Sequence, residues 1–130
     1  MVDALCLSTL QPHDALSIRV HPQMKSEPPY YAVIFTSRLA VDTDGYDDMA
    51  AKMEALAAGQ PGFLGIESAR DAGGLGITVS YWATRDDIER WRGNIEHRAA
   101  QDQGNRRWYA HYDIRIARVE RAYEGPPGPG

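Results

Sequence analysis

His97 is the side chain best suited to move a proton near neutral pH. Its imidazole could take the proton of a phenol and leave a ring electron-rich enough to react with oxygen directly. The structural alternative is a bond that fixes its helix, to a backbone carbonyl or to Glu96 or Asp102. Two tryptophans precede it. Trp82 and Trp91 each offer a flat indole for stacking and an N–H to orient an oxygen, although core-facing aromatics mainly fill volume. Arg38 and Arg98 could hold an anionic group, with an exposed ion pair as the alternative for Arg38. Glu67, Arg70, Arg115, Arg118 and Arg121 read as a charge ladder, solvated or at a dimer edge. Tyr109, His111 and Tyr112 read as pocket lining or, preferentially, as dimer interface.

Other chemistries find no motif. His13, His21, His97 and His111 have neither the i, i+4 nor the CxxC spacing of a metal site, so no metal is expected. Gly73-Gly74-Leu75-Gly76 reads as a hairpin turn and not as a phosphate loop, and no Gly-x-Ser-x-Gly elbow occurs. Cys6 is the single cysteine, which excludes an internal disulfide, and it has no base or cation beside it to activate the thiol. The net charge of −4 argues against a nucleic-acid partner, since phosphate-binding surfaces are basic. Met1–Leu10 lacks a basic start and carries Asp3, unlike a secretory signal, and no stretch reaches the roughly 20 apolar residues of a membrane span. The expectation is a cytoplasmic protein with no membrane partner.

These residues must be positioned by an alternating chain. Residues 1–29, with Pro12, Pro22, Pro28 and Pro29, read as an extended arm in which Leu16, Ile18 and Val20 could add a short edge strand. Tyr30–Leu39 is aromatic and β-branched and reads as a strand, with Tyr31, Val33, Phe35, Ser37 and Leu39 on one face and Tyr30, Ala32, Ile34, Thr36 and Arg38 on the other. Asp44 is the expected N-cap of a first helix with Asp47 and Asp48 in its first turn. Its apolar stripe is Tyr46, Met49, Ala50, Met53, Leu56 and Ala57, and Gly59-Gln60-Pro61-Gly62 ends it. Phe63–Asp71 and Gly76–Ala83 read as a hairpin around Asp71-Ala72-Gly73-Gly74.

Thr84-Arg85-Asp86-Asp87 reads as a capping box opening a second helix, with Ile88, Trp91 and Ile95 inward, a break at Gly93-Asn94 and an end at Gly104. Trp108–Tyr123 reads as the last strand, with Tyr112, Ile114 and Ile116 opposite His111, Asp113 and Arg115. The order βαββαβ predicts an α+β, ferredoxin-like domain over residues 30–124, a four-stranded antiparallel sheet with both helices on one face. Residues 125–130, Gly-Pro-Pro-Gly-Pro-Gly, lie outside it as a disordered tail. The sheet's far face then needs a cover, and pairing with a second copy would close an eight-stranded barrel.

The runs Ser80-Tyr81-Trp82-Ala83, Asp86–Arg92 and Glu96–Gln101, with Gly104, Trp108-Tyr109, Tyr112 and Arg115–Val119, resemble the antibiotic biosynthesis monooxygenase family. The resemblance covers roughly residues 30–121. It implies a dimeric α+β barrel with a cavity in each protomer between helices and sheet. Members oxidise aromatic polyketides with molecular oxygen and no cofactor, and others bind and degrade heme. The heme-degrading members carry an asparagine on the first strand, a tryptophan in the second helix and a histidine ten residues later. Trp91 fits the tryptophan, but Ser37 and Gln101 stand at about the other two positions, and neither brings an imidazole to iron. The expectation is therefore a monooxygenase with no cofactor, acting on a small hydrophobic or aromatic ligand. His97, Trp91 and Trp82 would be catalytic, and Phe35, Ser37, Arg38, Arg98 and Gln101 would line the substrate. The alternative is a non-catalytic homodimer that binds a small ligand, heme included.

Overall fold

The computed structural model describes residues 17–21, 26–40, 45–101 and 109–126, with backbone only at 17, 19–21 and 96–101. Seven elements follow in order: β1 (Ser17–His21), β2 (Tyr30–Leu39), α1 (Tyr46–Ala58), β3 (Phe63–Arg70), β4 (Leu75–Trp82), α2 (Arg85–Gln101) and β5 (Tyr109–Val119). The strands form one antiparallel sheet in the order β1-β3-β4-β2-β5. From β2 onward this is the expected βαββαβ sheet of four strands. The arm adds a fifth strand, β1, along the edge of β3, where the alternating Ile18 and Val20 had pointed to one.

Register assigns the faces. Tyr31 lies opposite Trp82, Val33 opposite Ser80 and Ser37 opposite Gly76 on β4, and Phe35 lies opposite Ile114 on β5. These residues share the helix face, where Ala57, Trp82 and Ile88 form a buried cluster with Tyr31, Val33, Phe63 and Trp91 against it. Two bulges interrupt the alternation, at opposite ends of the sheet. The register shifts between Phe63 and Gly65 on β3, and between Arg38 and Leu39 where β2 meets β5. Each leaves one residue over, Leu64 and Ala110, and so turns a preceding aromatic, Phe63 or Tyr109, onto the helix face.

The helices differ from expectation in two details. Asp44 lies outside the described residues; the N-cap of α1 is Gly45, in the left-handed region at φ 84°, with no side-chain cap bond. α2 runs unbroken for 17 residues through Gly93-Asn94. A side chain at Gly93 would meet nothing within 4 Å, so the glycine costs only its helix propensity, about 1 kcal/mol. Asn94 gains a contact instead, its Nδ2 donating to Gln60 Oε1 at 3.0 Å in the turn after α1.

The expected cap of α2 is present. The Asp87 backbone N–H donates to Thr84 Oγ1 at 3.1 Å, and the Thr84 hydroxyl donates to the Asp87 carboxylate at 2.8 Å. Together with the Arg90 guanidinium, 2.8 Å away, the Thr84 hydroxyl holds the Asp87 carboxyl below its ordinary range. Gly62 makes this arrangement possible. Its φ is 81°, and a Cβ there would fall 2.0 Å from Asp87 Oδ2. The Gly62 carbonyl accepts from the Ala83 N–H at 2.8 Å, so the turn after α1 is tied to the start of α2.

Among the described residues no element covers the opposite face of the sheet. Ile18, Leu75 and Ile77 are 63%, 41% and 48% exposed on it. Tyr81 on that face donates to Glu67 at 3.0 Å, and burial, reinforced by the Glu67 carboxylate, pushes its phenol up to about 12.

Candidate functional site

The helix face carries two aromatic clusters, six residues apart along β2. At about 3.3 Å per residue that is roughly 20 Å. The first is built on Trp82. Its side chain is fully buried at 0% exposure, stacks on Trp91 with centroids 6.0 Å apart and meets Phe63 edge to face at 5.5 Å. An indole has a single donor, and that of Trp82 goes to Ser80 Oγ at 2.9 Å. Trp82 and Trp91, expected to be catalytic, are thus brought together, but Trp82 has no N–H left for a substrate and no surface to offer one. Trp91 remains half-buried at the rim. The side chains of His97, Arg98 and Gln101 lie outside the described residues.

The second cluster stands at the other end of β2. Phe35 packs against Tyr109 at 5.3 Å and Tyr112 at 5.4 Å, and Tyr109 meets Tyr46 edge to face at 5.8 Å. Ser37, two residues along, is 2% exposed. Its hydroxyl accepts from Arg70 Nη2 at 2.7 Å, and the same nitrogen donates to Tyr46 Oη at 3.0 Å. Arg70 Nη1 donates to the Gly74 carbonyl at 2.5 Å, while the guanidinium also lies under the Tyr46 ring, 5.2 Å from its centroid. Tyr109 completes the chain with its hydroxyl 3.4 Å from that of Tyr46. Gly76 makes room: a Cβ there would lie 2.5 Å from Arg70 Cζ.

Several expectations change here. Arg70 is no rung of a solvated ladder; it turns inward on the helix face, half-buried among Ser37, Tyr46 and Gly74. Phe35 and Ser37, two of the expected substrate residues, share the helix face, while Arg38 lies exposed on the opposite face. Tyr109 and Tyr112 also part from His111, which pairs with Asp113 at 3.2 Å across the sheet from them. Sequence reasoning missed Arg70, Tyr46 and the inward turn of Tyr109. The available signal was Gly76 opposite Arg70 in the hairpin, a missing side chain beside a long one.

This second cluster is open. Among the described residues α1 packs mainly on β3 and α2 on β4, and β5 carries the exposed part of the helix face. Tyr112, Ile114 and Ile116 of β5 are 53%, 54% and 49% exposed beside Phe35 and Val33. Among the described residues no group of three His, Cys, Asp or Glu side chains could hold a metal, and no helix is long and apolar enough to cross a membrane. Of the two positions that the heme-degrading resemblance singles out, Ser37 has its oxygen buried and bonded to Arg70, and Gln101 carries no imidazole.

The sequence matches the family described as antibiotic biosynthesis monooxygenase over residues 42–103. It is 54% identical over 95 residues to the uncharacterized protein YqjZ of Bacillus subtilis (strain 168), across 73% of this chain and 83% of that protein. The chain belongs to the antibiotic biosynthesis monooxygenase family. The same fold is seen in the crystal structure of PA3566 from Pseudomonas aeruginosa. That structure aligns with a TM-score of 0.57 over 76% of this chain and 100% of its own, at 18% identity. Within the family match lie α1, the β3–β4 hairpin and α2, with Tyr46, Arg70, Trp82 and Trp91. Phe35, Ser37, Tyr109 and Tyr112 lie outside it, on the two strands that make the open half of the helix face.

Proposed function

We propose that the protein is a small-molecule monooxygenase that oxidises an aromatic substrate with molecular oxygen and without a cofactor, and that it works as a homodimer. Family membership supports the reaction class. The observation that carries the substrate is the open aromatic floor, where Phe35, Tyr109 and Tyr112 lie within 5.9 Å of one another and continue into the exposed Ile114 and Ile116. Such a surface suits a planar ring.

His97, on α2 six residues after Trp91, is the proposed base. It takes the proton of a phenol-activated methylene, and the resulting carbanion delivers its electrons to dioxygen. One oxygen atom bonds to that carbon and the other leaves as water, so the methylene becomes a carbonyl and the substrate supplies every electron. The homodimer buries the far face of the sheet, where Ile18, Leu75 and Ile77 stand exposed.

Oxygen uptake on a panel of anthrones tests the reaction. Turnover above the uncatalysed rate, lost in His97→Ala and reduced in Phe35→Ala, is expected; no turnover with any of them would overturn it. The engagement of the Trp82 N–H by Ser80 and of the Ser37 hydroxyl by Arg70 favours a second reading, ligand binding without catalysis. It predicts saturable binding of the same compounds with no oxygen consumed, and a hemin titration with no stoichiometric Soret shift would remove heme from its ligands.

A further inference from the structure

Arg70 poses a question that the fold alone does not answer. Its guanidinium is half-buried, and its hydrogen-bond partners are a serine hydroxyl, a tyrosine hydroxyl and a backbone carbonyl. None is an acid. A cation withdrawn from water without a counter-charge is costly, and hydrogen bonds to neutral acceptors offset only part of that cost. Gly76 keeps the space the group occupies, and the Tyr46 ring covers it. A guanidinium has five N–H donors, of which these contacts use three, so two remain.

We infer that Arg70 is the anion anchor of a subsite for a flat aromatic carboxylate, whose ring lies on Phe35 and Tyr112 while its carboxylate takes the remaining donors. The spacing agrees. Ser37, which Arg70 touches, is two residues from Phe35 on the same face, about 7 Å along the strand, close to the reach from a carboxylate to the far ring of a two-ring arene. The Ala110 bulge sets Tyr109 between the two, against both Phe35 and Tyr46, so the floor runs from the rings to the cation without a gap. The inference deepens the proposed function by naming its substrate class. It is read by binding alone, so absence of turnover leaves its test intact.

Calorimetric titration with 2-naphthoate and its neutral counterpart 2-naphthamide provides that test. The carboxylate is expected to bind at least about tenfold more tightly, the size of a charge-assisted hydrogen bond. Arg70→Gln should bring the two affinities together. Because Arg70 also braces Ser37 and Tyr46, Ile114→Glu supplies a second variant, at a side chain 54% exposed, that leaves the fold unburdened. A like charge on the floor should weaken naphthoate about tenfold or more and naphthamide far less. Equal affinities in the wild type, no binding of either probe, or naphthoate binding unchanged by Ile114→Glu would overturn the inference.

Discussion

The two ends of the helix face use the same device for opposite purposes. At each, a bulge turns an aromatic residue inward, Phe63 at one end and Tyr109 at the other. Phe63 joins Trp82 and Trp91 under α2, where the one indole donor of Trp82 is satisfied by Ser80 and the ring has no exposed surface. Tyr109 joins Phe35 and Tyr112 on β5 and β2, edge to face with Tyr46 of α1 and beside Arg70, whose partners among the described residues are neutral acceptors. Aromatic content alone therefore does not tell a sealed cluster from an exposed one. What separates the two clusters is exposure, 0% at Trp82 against 53% at Tyr112, and the cation that stands beside the rings of one of them.

The widest gap between the clusters should appear in stability. Trp82→Ala empties a fully buried site and should cost about 3–5 kcal/mol in urea unfolding. Tyr112→Ala, at a residue 53% exposed, should cost less than about 0.5 kcal/mol. Comparable losses would mean that the open cluster is also core. Gly76→Ala probes the open end by its spacing: the new methyl would lie 2.5 Å from Arg70 Cζ, and the guanidinium must move off Ser37 and Tyr46. A loss of about 1–2 kcal/mol is expected, the scale of one buried hydrogen-bonded group, and with it the preference for naphthoate over naphthamide. If that preference persists, the anchor does not depend on the position of Arg70.

The smallest effect belongs to the other side of the sheet. The Tyr81 phenol, raised by burial and by Glu67, should ionise near pH 12 when followed by ultraviolet absorbance. Its folded-state value lies above the unfolded one, so its contribution to stability is complete below pH 10 and is lost as pH rises from there toward 12. Glu67→Gln should lower the midpoint only in part, since burial is the larger cause. Pairing of this face with a second copy should raise the midpoint further at high protein concentration.

The sheet was legible because period-two patterns are local. Tyr30–Leu39 and the stretch from Tyr112 to Arg115 show their two faces directly, and register bears them out. Thr84 and Asp87 announced the start of α2 in the same way. Three features escaped, each decided by something distant in the chain. The bulges at Leu64 and Ala110 depend on a partner strand's register and leave no mark in composition. Gly93 reads as a helix breaker unless its surroundings are known to be empty. Arg70 looks like any surface arginine until Gly76, across the hairpin, proves to be the space it fills. The candidate site was accordingly half visible: Phe35 and Ser37 were marked, while the cation that organises them was not.

The pairing of β5 with β2 has a consequence for synthesis. Ile34 meets Arg115, so about 80 residues must emerge between the two partners, whereas among the described residues the Trp82 cluster draws on nothing beyond Trp91. A nascent chain released through α2 already holds every residue of the sealed cluster, yet it has no floor for a ring to lie on. The surface proposed for the ligand comes into being only when the last strand arrives.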